Sequence, residues 1–166
     1  MYDIWLNQNV TTDFAEVFKR RCLDIEIQSW RESVSSFGAL RLYRLLKFDL
    51  EYKPYLNLNL SKTVKNMYSR IRCGLLKVGV NTGRWEGVPY LERICTFCNM
   101  NVIEDEIHFV FACPVWSGFR TQLSSYNFFR ANNCERVFCS DDPRFIRDLC
   151  SFVSRALAFR EELGQP

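Results

Sequence analysis

The sequence predicts a mainly α fold, and three observations predict it. Apolar residues recur at steps of three and four along several segments, the mark of one buried helix face. Helix start signals stand where those segments begin: Ser61 before one, Asp141-Asp142-Pro143 before another. Finally, three cysteines and the only histidine of the 166 residues fall in one short window, Cys95 to Cys113. With 48% hydrophobic residues and 15% aromatics the chain has ample material for one core.

Taken in order, Phe14, Phe18, Cys22 and Ile25 step by four, four and three, predicting a helix over 11–30 with that face buried and with Asp13 in its first turn. Leu40 to Phe48 fits either period and is read as a helix; Pro54 and the Asn-rich YLNLNL stretch form a connection. Leu60, Val64, Met67, Ile71, Leu75 and Val78 predict one long helix over 60–78, capped near Ser61 and ended by Gly79 and Asn81-Thr82-Gly83. A short helix is expected over 104–111, then further helices over 114–126 and 143–163. The expected organisation is an N-terminal helical region (1–57), a central domain (58–128) and a C-terminal helix packing on it (129–166), or all of these as one domain.

The cluster reads Cys95-x2-Cys98-x9-His108-x4-Cys113. A tight turn between Cys95 and Cys98 can aim both sulfurs at one ion at Zn–S distances of about 2.3 Å. His108 and Cys113 are five apart, a rotation of about 500° on a regular helix, so they would not share a face. The helix must loosen before Cys113, and Pro114 supplies a reason by pushing the preceding residue out of the α region. Glu104, Asp105 and Glu106 suit the N-terminus of that helix. Three thiolates and one neutral imidazole close a tetrahedral shell with no water position, so one structural Zn2+ is expected and no catalytic metal. The competing reading, three buried thiols and a core histidine, leaves their coincidence in nineteen residues unexplained. Cys22, Cys73, Cys134, Cys139 and Cys150 are read as structural thiols. The predicted fold is thus a small helical domain stapled by a Cys3His zinc knuckle.

With these residues laid out, Ser61 to Arg120 resembles the zinc-binding domain found after the polymerase in reverse transcriptases of non-LTR (LINE-type) retroelements. The resemblance rests on the helix before Gly83-Arg84-Trp85, Arg93 before Cys95 and Cys98, Glu104 leading into His108, and Cys113-Pro114. Where that family often has Tyr after its Cys-Pro pair, this chain has Trp116. The resemblance implies zinc ligation by Cys95, Cys98, His108 and Cys113, and an accessory role in a retroelement reverse transcriptase or in a stand-alone descendant. It does not carry polymerase activity, because no Tyr-x-Asp-Asp-like pair is present; Asp141-Asp142 precedes a helix instead of lying in a hairpin. Neither a glycine-rich phosphate loop nor a plausible carboxylate pair is seen, so the chain is not expected to be an enzyme.

The formal charge of +3 names no partner, but its distribution is uneven. No Asp or Glu occurs from Tyr52 to Trp85, a stretch holding Lys53, Lys62, Lys65, Arg70, Arg72, Lys77 and Arg84. On a continuous helix Lys62, Lys65, Arg70, Arg72 and Lys77 would share a face opposite the apolar stripe. RNA or single-stranded DNA is the expected partner, with its backbone on that face and Arg84, and a base stacking on Trp85. Phe97, Phe109, Phe111, Trp116 and Phe119 are expected to plug the core. The alternative is a zinc-stabilised protein-interaction module, suggested by hydrophobic ends that include Trp5, Phe145, Ile146, Phe152 and Phe159. The first residues show no secretory pattern and no apolar run is long enough to span a membrane, so an intracellular location, nuclear or cytoplasmic, is expected.

Overall fold

The computed structural model describes residues 13–123 and 134–163. It is mainly helical and divides between Gly38 and Ala39 into two units, 1–38 and 39–166. Residues 39–57, expected to group with the N-terminal region, lie in the unit that carries the cysteine cluster, and so do the described residues from 134 on. Trp5, and the part of the expected 114–126 helix beyond 123, lie outside the described residues.

In the first unit, α1 (Asp13–Ser36) is a helix as the periodicity predicts, but its predicted buried face is not buried. Phe14, Phe18 and Ile25 are each half or more exposed, and Cys22 is exposed as well. Periodicity reports that a helix has an apolar side; it does not report that anything covers it.

The second unit begins with a short 3-10 turn and α2 (Arg41–Leu46), matching the helical reading of that segment, and a 3-10 turn at Pro54–Asn57 falls in the expected connection. α3 (Lys62–Arg72) starts as predicted, with the Ser61 hydroxyl accepting the Val64 amide. It does not continue to Val78. Gly74 sits at φ +66°, the Gly74 amide bonds to the Ile71 carbonyl, and the Leu75 amide bonds to the Arg70 carbonyl. Those two bonds form a Schellman end, which overrides the apolar repeat because it satisfies the last carbonyls and turns the chain. Asn81 fixes the turn from the other side, its Nδ2 donating to the carbonyls of Gly74 and Leu76. Leu76 and Val78 are buried after the turn, whereas Leu75, predicted on the stripe, is exposed. Gly79 and Asn81-Thr82-Gly83, expected to end a helix, instead form one: α4 (Gly79–Trp85).

After the cysteine cluster come α5 (Ser117–Thr121), the short α6 (Cys134–Phe138), which the sequence reading did not anticipate, and α7 (Pro143–Glu162). The α7 start is as predicted, with Asp142 accepting the Arg144 amide and Pro143 in the first turn. α7 packs along α3: Tyr68 donates to the Ser140 carbonyl, Arg147 to the Asn59 carbonyl, and the Cys150 thiol lies 3.5 Å from the Val64 carbonyl. Phe145, Ile146, Leu149, Phe152 and Val153 fill the core between them. Phe145, Ile146 and Phe152 thus serve this unit's own interior and not a partner, as the interaction reading had them; only Phe159 of that set stays partly exposed on α7.

Candidate metal centre

The knuckle is built on a single antiparallel bridge, Ile94 with Ile103. The Cys95 amide donates to the Val102 carbonyl at 2.8 Å and the Glu104 amide to the Arg93 carbonyl at 2.9 Å, so the chain leaves and returns side by side. Asn101 makes the return at φ 52°, a conformation asparagine tolerates better than most residues. Inside the loop the amides of Phe97 and Cys98 point at the Cys95 sulfur, and the Val115 amide points at the Cys113 sulfur. Amides aimed at sulfur favour thiolates, the form that binds metal.

His108 and Cys113 reach the same place by a π-helical turn, His108–Ala112, which the Cys113 amide closes on the His108 carbonyl at 2.7 Å. At about 4.4 residues per turn, five residues come back close to one face, which 3.6 per turn forbids. The expected loosening is therefore a whole π-turn. Arg120, buried beneath it, donates to the carbonyls of Phe109, Val110 and Cys113 that the turn leaves over. Asp105 accepts the His108 amide at 2.7 Å and anchors the start.

One ligand atom from each of Cys95, Cys98, His108 and Cys113 lies within 4.8 Å of the others, and this group could hold a metal ion. Cys98 Sγ stands 3.4 Å from His108 Nε2. His108 Nδ1 is buried and bonds to no protein atom. Burial lowers the His108 pKa, against the pull of Glu104 and Asp105, which keeps the imidazole neutral and available. Burial also raises the thiols, Cys95 to about 12 and Cys113 in the same direction. Phe97 and Phe109 pack on Trp116 in tilted geometry with ring centroids 5.5 and 5.4 Å away, and Phe111 and Phe119 are part-buried against the same core, as expected.

The acids before His108 do more than suit a helix dipole. Glu104 is fully buried: it accepts the Gly79 amide at 2.7 Å and hydrogen bonds from Nη1 and Nη2 of Arg160 on α7. Asp105 pairs with Arg41 at 2.9 Å, and Glu106 accepts Asn81 Nδ2 at 3.1 Å. The segment entering the cluster is thereby tied to α2, α4 and α7. Arg93 performs the same service on the other arm, donating to the carbonyls of Val80 and Val88. Its stem occupies the place a Cβ on Gly83 would need, 2.8 Å away, so the Gly83-Arg84-Trp85 segment is a helix lying against Arg93 and not a free turn. Arg120 and Arg160 were missed by the sequence reading. A signal was available for Arg160, which sits four residues after the buried Ala156 on the apolar face of α7.

The predicted basic face fares unevenly. Lys62 and Arg70 are exposed on α3, and Arg84 is part-exposed beside an exposed Trp85. Lys65 folds back to donate to the Leu56 carbonyl. Arg72 is buried, its guanidinium over the rings of Tyr55 at 5.0 Å and Tyr68 at 5.7 Å, so it is a core residue and not a surface one. Lys77 lies beyond the α3 break, off the predicted wheel, and pairs with Glu161 at 3.3 Å. No described helix is long and apolar enough to cross a membrane. No protein-family model, curated protein or solved structure matches this chain.

Proposed function

We propose that this chain is a zinc-stapled helical module, of the kind its resemblance to non-LTR reverse transcriptase zinc-binding domains implies, and that it binds RNA or single-stranded DNA. The observation that carries the reading is the Cys3His group itself. Four bonds of about 2.0–2.3 Å in a tetrahedron place sulfur and nitrogen roughly 3.6 Å apart, and the 3.4 Å between Cys98 Sγ and His108 Nε2 fits that edge. With all four positions taken by protein, zinc would be structural: it supplies a cross-link that holds the knuckle and the π-turn, and no site for a reacting water. The chain is read as a non-catalytic accessory part on the same ground.

Nucleic-acid binding is supported by the acid-free stretch from Tyr52 to Trp85, within which Lys62, Arg70, Arg84 and Trp85 reach the surface. The test is metal content of the purified protein beside its salt-dependent binding. One zinc per chain, lost together with folding in Cys95→Ser and His108→Ala, supports the staple; a folded metal-free protein sinks it. For binding, Lys62→Glu/Arg70→Glu/Arg84→Glu is the suitable triple reversal, since Lys65 is tied to the Leu56 carbonyl and Arg72 belongs to the core. It should weaken single-strand binding and flatten the slope of log K against log salt by about 2. Unchanged binding removes the surface and leaves the second reading, a zinc-stabilised interaction module, which the exposed apolar face of α1 favours.

A further inference from the structure

α1 is 24 residues long, and its N-terminal half turns a row of large apolar side chains to solvent. Phe18 is 59% exposed and Ile25 55%, with Cys22, also exposed, between them. An amphipathic helix of this length draws most of its stability from whatever packs on its apolar face. What packs there is indicated by the spacing and by the charges beside it.

Phe18, Cys22 and Ile25 step by four and three, the seam of a heptad, with Ala15 and Ser29 continuing the same positions outward. Phe18 and Ile25 take the d position and Cys22 the a position; Lys19 and Glu26 are then e, and Phe14, Arg21 and Gln28 are g. When two such helices lie parallel and in register, Phe18 faces Phe18, Ile25 faces Ile25 and Cys22 faces Cys22. Each g residue meets the partner's e residue five positions on. Arg21 therefore meets the partner's Glu26, twice by symmetry, while Phe14 meets the partner's Lys19 and Gln28 the partner's Ser33. No g–e contact joins like charges. From Ala15 to Ser29 the face is self-complementary under a two-fold axis, as a closed dimer requires, and the seam ends there because the next d position is Glu32.

From this we infer that α1 is a homodimerisation helix: a second copy of this chain covers the Phe18–Cys22–Ile25 seam in parallel register, fixed by Arg21 against the partner's Glu26. The pairing stands apart from the metal and nucleic-acid readings and fails or survives without them.

Sedimentation equilibrium of the full chain under reducing conditions at tens of micromolar should show a dimer. Phe18→Asp, an exposed site whose change leaves the rest of the chain folded by circular dichroism, should give a monomer. Arg21→Glu should raise the dimer dissociation constant about tenfold, and Arg21→Glu/Glu26→Arg should restore it. Oxidised glutathione should link the two copies through Cys22, the one exposed cysteine, and the linked species should vanish with Cys22→Ser. A wild-type monomer at these concentrations overturns the proposal. So does rescue by Lys19→Glu/Glu26→Lys in place of the Arg21 pair, because Lys19 opposes the partner's Glu26 only when the helices run antiparallel.

Discussion

At the residue scale, the Cys3His group depends on buried charges that bond to none of its sulfurs. Glu104 and Arg160 form an ion pair with both side chains about 95% or more buried. Removing one member leaves the other charged in an apolar interior, so Arg160→Met should lower unfolding free energy by about 3–5 kcal/mol in a denaturant titration. The double change Glu104→Met/Arg160→Met should recover part of that loss, although the Gly79 amide then loses its acceptor. Glu106 makes a pH-dependent contribution. Burial raises its pKa, opposed by Arg41 and the Asn81 amide, so the folded state favours the protonated acid. A raised folded pKa means that the contribution is fully present below the ordinary value of 4.5 and is lost as pH rises through the folded value. Glu106→Gln should therefore flatten the decline in stability on that rise, read from thermal melts across pH 4–8.

At the element scale, the decisive feature is the end of α3. A left-handed residue at position 74 costs an L side chain about 1–2 kcal/mol, and a Cβ there would stand 3.2 Å from the Leu42 Cβ and 3.3 Å from Glu106 Oε1. Gly74→Ala should destabilise by at least that amount without shifting the α3 start, whereas Ser61→Ala should cost about 1 kcal/mol at the other end. The amino-acid pattern alone made α3 six residues too long, because Leu75 and Val78 happen to prolong the three-four rhythm. The Schellman end at Gly74 turns the chain, and Asn81, contributed by α4, holds the turn by donating to the Gly74 and Leu76 carbonyls. The same error placed Arg72 and Lys77 on a common face; with the helix ended, one is core and the other pairs with α7.

At the scale of the whole molecule, the described residues from 39 on share one core, into which the π-turn of the Cys3His group inserts Phe109 and Val110. Loss of a bound ion should be felt throughout that unit. A chelator stronger than the site should lower its melting temperature, with near-ultraviolet signal from Trp116 and the tyrosines lost in the same transition as far-ultraviolet helix signal. A transition confined to the near-ultraviolet would show that the fold stands without its staple. Acidification should act in the same direction as chelation, since three thiols and one imidazole must lose or lack protons to bind metal.

The sequence by itself determined the Cys3His group that could hold a metal ion, the start signals of α3 and α7 and the presence of an apolar side on α1. Each of these depends on residues near one another along the chain, where spacing and local hydrogen bonding decide the outcome. Tertiary structure alone decided which cations are buried, and that the acids before His108 bind Arg41, Asn81 and Arg160. Those outcomes depend on partners up to 64 residues distant or, for Arg160, 56, and a hydrogen bond across such a separation leaves no period in the sequence.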